Sequence, residues 1–301
     1  MKKSILMSFL FLQIAFRCYS QNQKLYFCVE DNNLVSNSPL QLRFVKANNL
    51  SNVVILYQDD FVTHNVKADF KMDLLRKSIA KKIPNKEQTG LAILDWEGRK
   101  PRILYGGIQT TEDEYNRILN EFISAIKEAK AQRPNMQWSF YGMPVRVGGS
   151  PSYDVWRSRI LRMMPLFQNC DFISPSLYSF IRNDTSKYLA DVNQHLKLSL
   201  EIGKKLNKPV MPFIWHRYQT NSSLVPINEF NNHIQQILNY TYQGSKVNGL
   251  IWWNSEGFLN IRKQKYPKVA QEYRIAQNAD DYQKNVFDEY YNGIKNLFNK
   301  K

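Results

Sequence analysis

The sequence is poor in the residues that staple small exported domains together. It has three cysteines in 301 residues. Only Cys28 and Cys170 lie beyond the N-terminal leader, and two thiols make no disulfide framework, so their pairing stays open. Four histidines (His64, His195, His216, His233) are scattered, with no His-x-x-x-His pair, so no metal centre is expected. Apolar runs are short: none beyond the N-terminus approaches the ~20 residues that crossing a bilayer needs, which excludes an integral span. No Gly-x-Gly-x-x-Gly follows the first strands, against a dinucleotide fold, and no cofactor is expected. No stretch rich in glycine, proline or serine divides the chain, so residues 21–301 read as a single domain.

What is present begins with a leader. Lys2 and Lys3 precede an apolar core from Ile5 to Phe16, and Cys18-Tyr19-Ser20 stands before Gln21. This pattern reads as a secretory signal over residues 1–20, cleaved after Ser20; the bulky Phe16 and Arg17 disfavour Cys18 as a lipid anchor. The expectation is a secreted, extracellular protein. Acidic residues are also few, 26 against 41 basic, for a formal charge of +15. Loss of Lys2, Lys3 and Arg17 with the leader still leaves a strong excess. A basic exported protein calls for an anionic partner, whether polysaccharide, surface or nucleic acid.

Short apolar runs alternate with longer helical patterns. Strand candidates are Leu42–Val45, Asn52–Tyr57, Leu91–Glu97, Gln137–Tyr141, Phe172–Pro175, Val210–Trp215 and Gly249–Trp253; residues 21–40 read as irregular. Helix candidates fall near 69–82, 112–131, 153–167, 186–206 and 228–242, where apolar residues recur at helical spacing. Seven strands separated by helices argue for an α/β fold, a (β/α) TIM-like barrel with parallel strands. The segment 280–301 reads as a terminal amphipathic helix packed on the barrel's outside.

The stretch Thr89–Gly98 is the most telling. Side chains alternate along a strand, so Leu91, Ile93, Asp95 and Glu97 share one face and Ala92, Leu94 and Trp96 the other. The two acids then stand where the chain leaves the sheet, which in a parallel barrel is the mouth of the active site. Asp-x-Glu is also common in solvated loops, so the remaining argument rests on the other strand ends. They carry Tyr57, Tyr141, Tyr178, Trp215 and Trp253, with Trp252 turned the opposite way to pack beneath a helix. Aromatic faces stack on sugar rings while carboxylates serve the glycosidic bond, which makes carbohydrate the favoured substrate class.

Gly90-Leu91-Ala92-Ile93-Leu94-Asp95-Trp96-Glu97, with Pro101 beyond, resembles the catalytic strand of the animal and venom hyaluronidases, glycoside hydrolase family 56. The similarity recurs in order at Val54–Tyr57, Trp138–Pro144, Pro175–Tyr178, Val210–Trp215 and Gly249–Trp253, spanning roughly residues 42–258. The resemblance implies a distorted seven-stranded barrel and a retaining endo-β-N-acetylhexosaminidase without a cofactor. It implies that Glu97 is the acid, with its proton held by the nearby charge of Asp95, and that Asp95 orients the substrate's own 2-acetamido group as nucleophile. Tyr178 and Trp253 would hold that group, and Tyr57, Tyr141, Phe213, Trp215, Ser255 and Lys100 complete the expected binding set. The basic charge would then meet the glucuronates of hyaluronan or chondroitin rather than nucleic acid, with the protein acting as a monomer. This chain departs from the family pattern at Gln58, where an aspartate is usual, at Phe213, where a tyrosine is usual, and at Gly98-Arg99-Lys100-Pro101, which lacks a tryptophan. Two rival readings are a non-catalytic polysaccharide-binding protein on the same scaffold and a barrel glycosidase acting on a different N-acetylhexosamine polymer.

Overall fold

The computed structural model describes residues 23–63, 69–145, 152–180, 185–276 and 278–298. The leader and His64 lie outside the described residues. In chain order the elements are β1 (Lys24–Phe27), α1 (Pro39–Ala47), β2 (Ser51–Tyr57), α2 (Met72–Lys82), β3 (Gly90–Asp95), α3 (Arg99–Leu104), α4 (Glu112–Gln132) and β4 (Met136–Phe140). They continue with α5 (Tyr153–Leu161), α6 (Met164–Asn169), α7 (Thr185–Leu206), β5 (Phe213–Ile214), α8 (Ile227–Asn239), β6 (Gly249–Trp252), α9 (Glu256–Ile261), α10 (Pro267–Ile275) and α11 (Ala279–Phe298).

Six parallel strands form one curled sheet in the order β4-β3-β2-β1-β6-β5. The gap between β4 and β5 is spanned by residues 171–177, the predicted strand Phe172–Pro175, which pairs only through isolated bridges. On the β5 side its backbone bonds are regular: Ile173 N–H to Pro209, Met211 N–H to Ile173 and Phe213 N–H to Pro175, all 2.8–2.9 Å. On the β4 side backbone bonds are sparse, Asp171 N–H to Trp138 (2.8 Å) and Ser174 N–H to Met143 (3.2 Å), and hydroxyls fill the gap, with Ser139 donating to the Phe172 carbonyl (2.7 Å) and Ser174 to Phe140 (2.6 Å). Six regular strands and one irregular stave therefore stand where seven strands were expected.

The alternation along β3 sorts the two sides of the wall. Leu91 and Ile93 join Val53, Ile55, Phe172, Met211, Phe213 and Ile251 inside the barrel. Ala92, Leu94 and Trp96 face the helices, where Trp96 stacks on Phe122 with centroids 4.1 Å apart. Trp252 likewise points outward, edge-on to Phe27 at 5.3 Å, under the α11 side chain Phe287. Each Å² of apolar surface buried by this packing contributes roughly 25 cal/mol.

Two boundary expectations fail for identifiable reasons. Leu42–Val45 is not a strand: Ser38 and Pro39 open a helix there, and Leu40, Gln41, Phe44 and Val45 bury one face at helical spacing. The first strand is instead Lys24–Phe27, inside the segment read as irregular, with Leu25 and Phe27 buried. The helix expected over 153–167 breaks in two because Pro165 falls in the first turn of α6 and cannot continue a preceding helix. The terminal helix forms over Ala279–Phe298 and buries Val286, Phe287, Tyr290 and Ile294 against the outside of the barrel. Cys28 and Cys170 are separate, buried, free thiols.

Candidate active site

Register brings the strand ends to one mouth. Tyr57 of β2 pairs directly with Asp95 of β3. Past Asp95 the chain takes two more extended steps to Glu97 and then turns at Gly98, whose φ of +87° is open to glycine at little cost. Gln58 fixes this exit, its side-chain carbonyl accepting the Glu97 N–H at 3.1 Å. Gly98 caps the N-terminus of α3, and α3 carries Lys100 away from the mouth. Lys100 is buried, paired with Glu121 at 2.7 Å and seated over the Trp96 ring at 5.4 Å. The structure thus takes Lys100 out of the expected binding set.

Asp95, Glu97, Tyr141, Tyr178, Trp215 and Trp253 come together around a cavity of about 210 Å³, completed by Ile55 and Gln219. Tyr178 and Trp253 stack at 5.6 Å and 19°, and Trp215 meets Trp253 edge-on at 4.8 Å. Phe213 lies one layer deeper, edge-on to Tyr141 at 5.0 Å, and supports the floor without lining the cavity. Tyr141 donates to Ser176 Oγ at 3.2 Å and is itself hydrogen-bonded to Tyr178.

The cavity is the middle of a longer cleft. It shares Trp215 and Trp253 with a cavity of about 440 Å³ lined also by Tyr57, Ser255, Phe258 and Tyr266. On the other side it shares Glu97, Tyr141 and Gln219 with one of about 320 Å³, lined by Arg102, Tyr105, Met143 and Phe180 among others. Tyr57 and Ser255 therefore stand beside the acids' cavity rather than in it. The basic excess of the sequence does not collect here. Glu30, Asp31, Asp59 and Asp60 line the larger limb against Lys81, Lys82 and Arg262, and Lys82 is already paired with Asp60 at 2.8 Å.

Both site acids hold their protons more tightly than free carboxylates. Burial raises Asp95 well above the ordinary aspartate value, and the charge of Glu97 raises it further. Burial also raises Glu97, although part of the residue remains exposed at the mouth. The expectation from sequence assigned the Glu97 shift to the charge of Asp95; desolvation is its leading cause, and the repulsion between the two carboxylates is shared by the pair. Two buried polar atoms in the cavity walls, Asp95 Oδ1 and Trp215 Nε1, have no hydrogen-bond partner among the described residues. No cluster of three metal-ligating side chains occurs among the described residues, and no described helix is long and apolar enough to cross a membrane.

Sequence reasoning noted Gln58 only as a departure from the family pattern, and it missed Gln219, Arg102 and Tyr105. Gln219 reaches the mouth because its N–H is held by the Ser179 carbonyl at 2.9 Å, a contact with no periodic signature. Arg102 and Tyr105 lie on the turn of helix that Gly98 redirects, so their position follows from a backbone angle rather than a motif.

Comparison with known proteins agrees with this geometry. No protein-family model matches the sequence. The chain is 24% identical over 249 residues to a hyaluronidase of Tabanus yao, covering 70% of this chain and 69% of that one. It is 20% identical over 186 residues to a hyaluronidase of Apis mellifera, covering 49% and 48%. Bee venom hyaluronidase matches in structure with a TM-score of 0.62 over 82% of this chain and 99% of its own, at 15% identity. A second structure of that protein, in complex with a hyaluronic acid tetramer, matches with a TM-score of 0.59 over 82% and 98%, also at 15% identity.

Proposed function

We propose, from the chain's standing as a distant relative of the hyaluronidases, that it is a glycoside hydrolase, a retaining endo-β-N-acetylhexosaminidase acting on hyaluronan- or chondroitin-type polysaccharide. The observation that carries this reading is the pair of orphaned polar atoms. Asp95 Oδ1 and Trp215 Nε1 stand buried and unpaired in the walls of one small cavity beside Glu97. An unsatisfied buried polar group costs about 1–3 kcal/mol. Both atoms are closed off from solvent behind the cavity wall, so small turns of the Asp95 and Trp215 side chains bring an acceptor and a donor to a bound 2-acetamido group, whose N–H and C=O match them.

The chemistry follows from which acids are present and where. Glu97 belongs to both the 210 Å³ and the 320 Å³ cavity, so a glycosidic oxygen passing from one to the other lies against it. Its raised pKa keeps a proton available for that oxygen. Asp95 and Glu97 leave the same strand on the same side, so they do not bracket an anomeric carbon from opposite faces as an acid and an enzyme nucleophile must. Substrate assistance is the recognised alternative. The acetamido oxygen attacks the anomeric carbon as the C–O bond to the leaving sugar breaks and that oxygen takes the Glu97 proton. An acetamido N–H donated to Asp95 favours its ionised form and leaves the pair's shared proton on Glu97, and the Asp95 carboxylate then stabilises the positive charge that develops on the acetamido group. Water, deprotonated by the now ionised Glu97, then opens the cyclic intermediate with net retention.

The aromatic walls give the sugar its place. The stacked Tyr178–Trp253 pair and Trp215 exclude water from the acetamido group, which strengthens every electrostatic contact made inside. The open limbs on both sides suit attack within a polymer rather than at its end. We extend the proposal to a secreted monomer in which residues 21–301 form one catalytic domain.

The test is direct: incubate the protein with hyaluronan, chondroitin and chitin oligomers and measure new reducing ends. Release from a glucuronate-containing polymer supports the reading. A polysaccharide-binding protein on this scaffold would retain the polymer and release none.

A further inference from the structure

Lys100 is withdrawn from the cleft, and the molecule's basic excess lies elsewhere, so something else must read the substrate's negative charge. We infer that Arg102 is the specificity-determining residue for a uronate carboxylate on the leaving-group side of the cleft. The inference rests on the proposed function above, and it concerns which polymer that site accepts.

Four observations lead to it. Arg102 is the only cationic side chain, among the described residues, lining either of the two cavities that contain Glu97. It is exposed and makes no ion pair among the described residues, whereas Lys100 is spent on Glu121 and Lys82 on Asp60. Its backbone is held in place, because the Arg102 carbonyl accepts the N–H groups of Gly107 at 2.8 Å and Ile108 at 3.2 Å. Tyr105 lines the same limb close beside it, near enough for the Arg102 charge to act on the Tyr105 hydroxyl.

Direction along the polymer then fixes what Arg102 meets. The acetamido sugar occupies the cavity with Asp95, Tyr178 and Trp253, and Glu97 stands on the wall shared with the Arg102 limb. The sugar across the broken bond therefore enters the Arg102 limb. In a polymer alternating N-acetylhexosamine with uronate, that leaving sugar is the uronate. A guanidinium fork matches a carboxylate with two parallel N–H···O bonds. Chitin places a neutral sugar there and gains nothing from the cation.

The experiment compares wild type, R102Q and R102K on hyaluronan and on hyaluronan whose carboxylates have been chemically reduced to alcohols. The readout is kcat and KM from new reducing ends. R102Q is expected to raise KM on native hyaluronan at least tenfold more than on the reduced polymer, with R102K recovering part of the difference. An equal effect of R102Q on both polymers, or none on the native one, overturns the inference. Should wild type cut neither polymer, the proposed function fails, and the inference is then decided by binding. Fluorescent hyaluronan octasaccharide and its carboxyl-reduced form are titrated against wild type and R102Q. A loss of affinity confined to the native oligosaccharide upholds the role of Arg102, and matched affinities refute it.

Discussion

Replacing Glu256 with Gln should destabilise the protein more than a typical single substitution. Glu256 and Arg217 are fully buried at the edge of the cleft. The Glu256 carboxylate accepts from Arg217 through both its Nε and an Nη (the latter at 2.9 Å), from His216 Nε2 at 2.8 Å and from the Tyr273 hydroxyl at 3.2 Å. His216 Nδ1 in turn accepts the indole N–H of Trp252 at 3.0 Å, which fixes the neutral tautomer with Nε2 as donor. Burial accordingly keeps His216 from charging, and the Arg217 charge holds Glu256 far below the usual carboxylate range despite its burial. Removing one partner of a buried pair costs about 3–5 kcal/mol, because the other charge remains in the interior. Arg217 keeps Glu272 at 2.8 Å and the Ser222 carbonyl at 2.7 Å, so the lower half of that range is expected. For a chain of this size that is a fall in Tm of about 6–16 °C. The assay is thermal unfolding by circular dichroism at pH 7, repeated under acid. A depressed pKa contributes stability present above the unfolded value and lost as pH falls, so the gap between wild type and E256Q should narrow toward acid. A Tm within 2 °C of wild type at pH 7 would refute this reasoning. The network also joins the two chain segments carrying Trp215 and Trp253, so the variant should weaken substrate binding along with the fold.

Two more perturbations separate electrostatics from catalysis. Glu30 is buried beneath the larger limb, held by Gln41 and by the N–H groups of Gly257 (2.7 Å) and Phe258 (3.0 Å), and burial still raises its pKa to about 7. A raised carboxyl contributes stability at low pH that is lost as pH rises through the folded value. Wild type should therefore lose roughly 3 kcal/mol between about pH 4.5 and 7 that E30Q does not lose, by the linkage of pKa to stability; parallel urea-unfolding curves across that range would contradict it. Tyr178→Phe should lower turnover by roughly tenfold to a thousandfold, by analogy with oxyanion donors, while leaving Tm within about 1–2 °C. Unchanged kcat in that variant would remove Tyr178 from the mechanism.

Much of this was legible in the sequence because two rules carry it. Alternation along β3 correctly separates Asp95 and Glu97 from Trp96, and the same rule separates Trp253 from Trp252. What was not legible depends on contacts that periodicity does not encode. Leu42–Val45, with three apolar residues around Arg43, is too short to separate strand from helix, and the Ser38-Pro39 start decides for helix. Val210–Trp215 reads as a six-residue strand, yet only Phe213 and Ile214 form a regular strand, and Pro212 within the run has no N–H to give the ladder. Lys100 follows Glu97 closely in sequence but leaves the site because Gly98 turns the backbone. Gln219 enters it through a loop hydrogen bond to Ser179, distant in sequence, and Arg102 enters it on the helix that Gly98 redirects.

The measurement that bears most directly on the whole account is hyaluronan cleavage by Glu97→Gln, an isosteric change that removes only the transferable proton. The account predicts a Tm close to wild type, retained binding of hyaluronan oligosaccharide, and loss of new reducing ends by about a hundredfold or more, the upper part of what a positioned acid contributes. Reducing ends released by E97Q at the wild-type rate would contradict it.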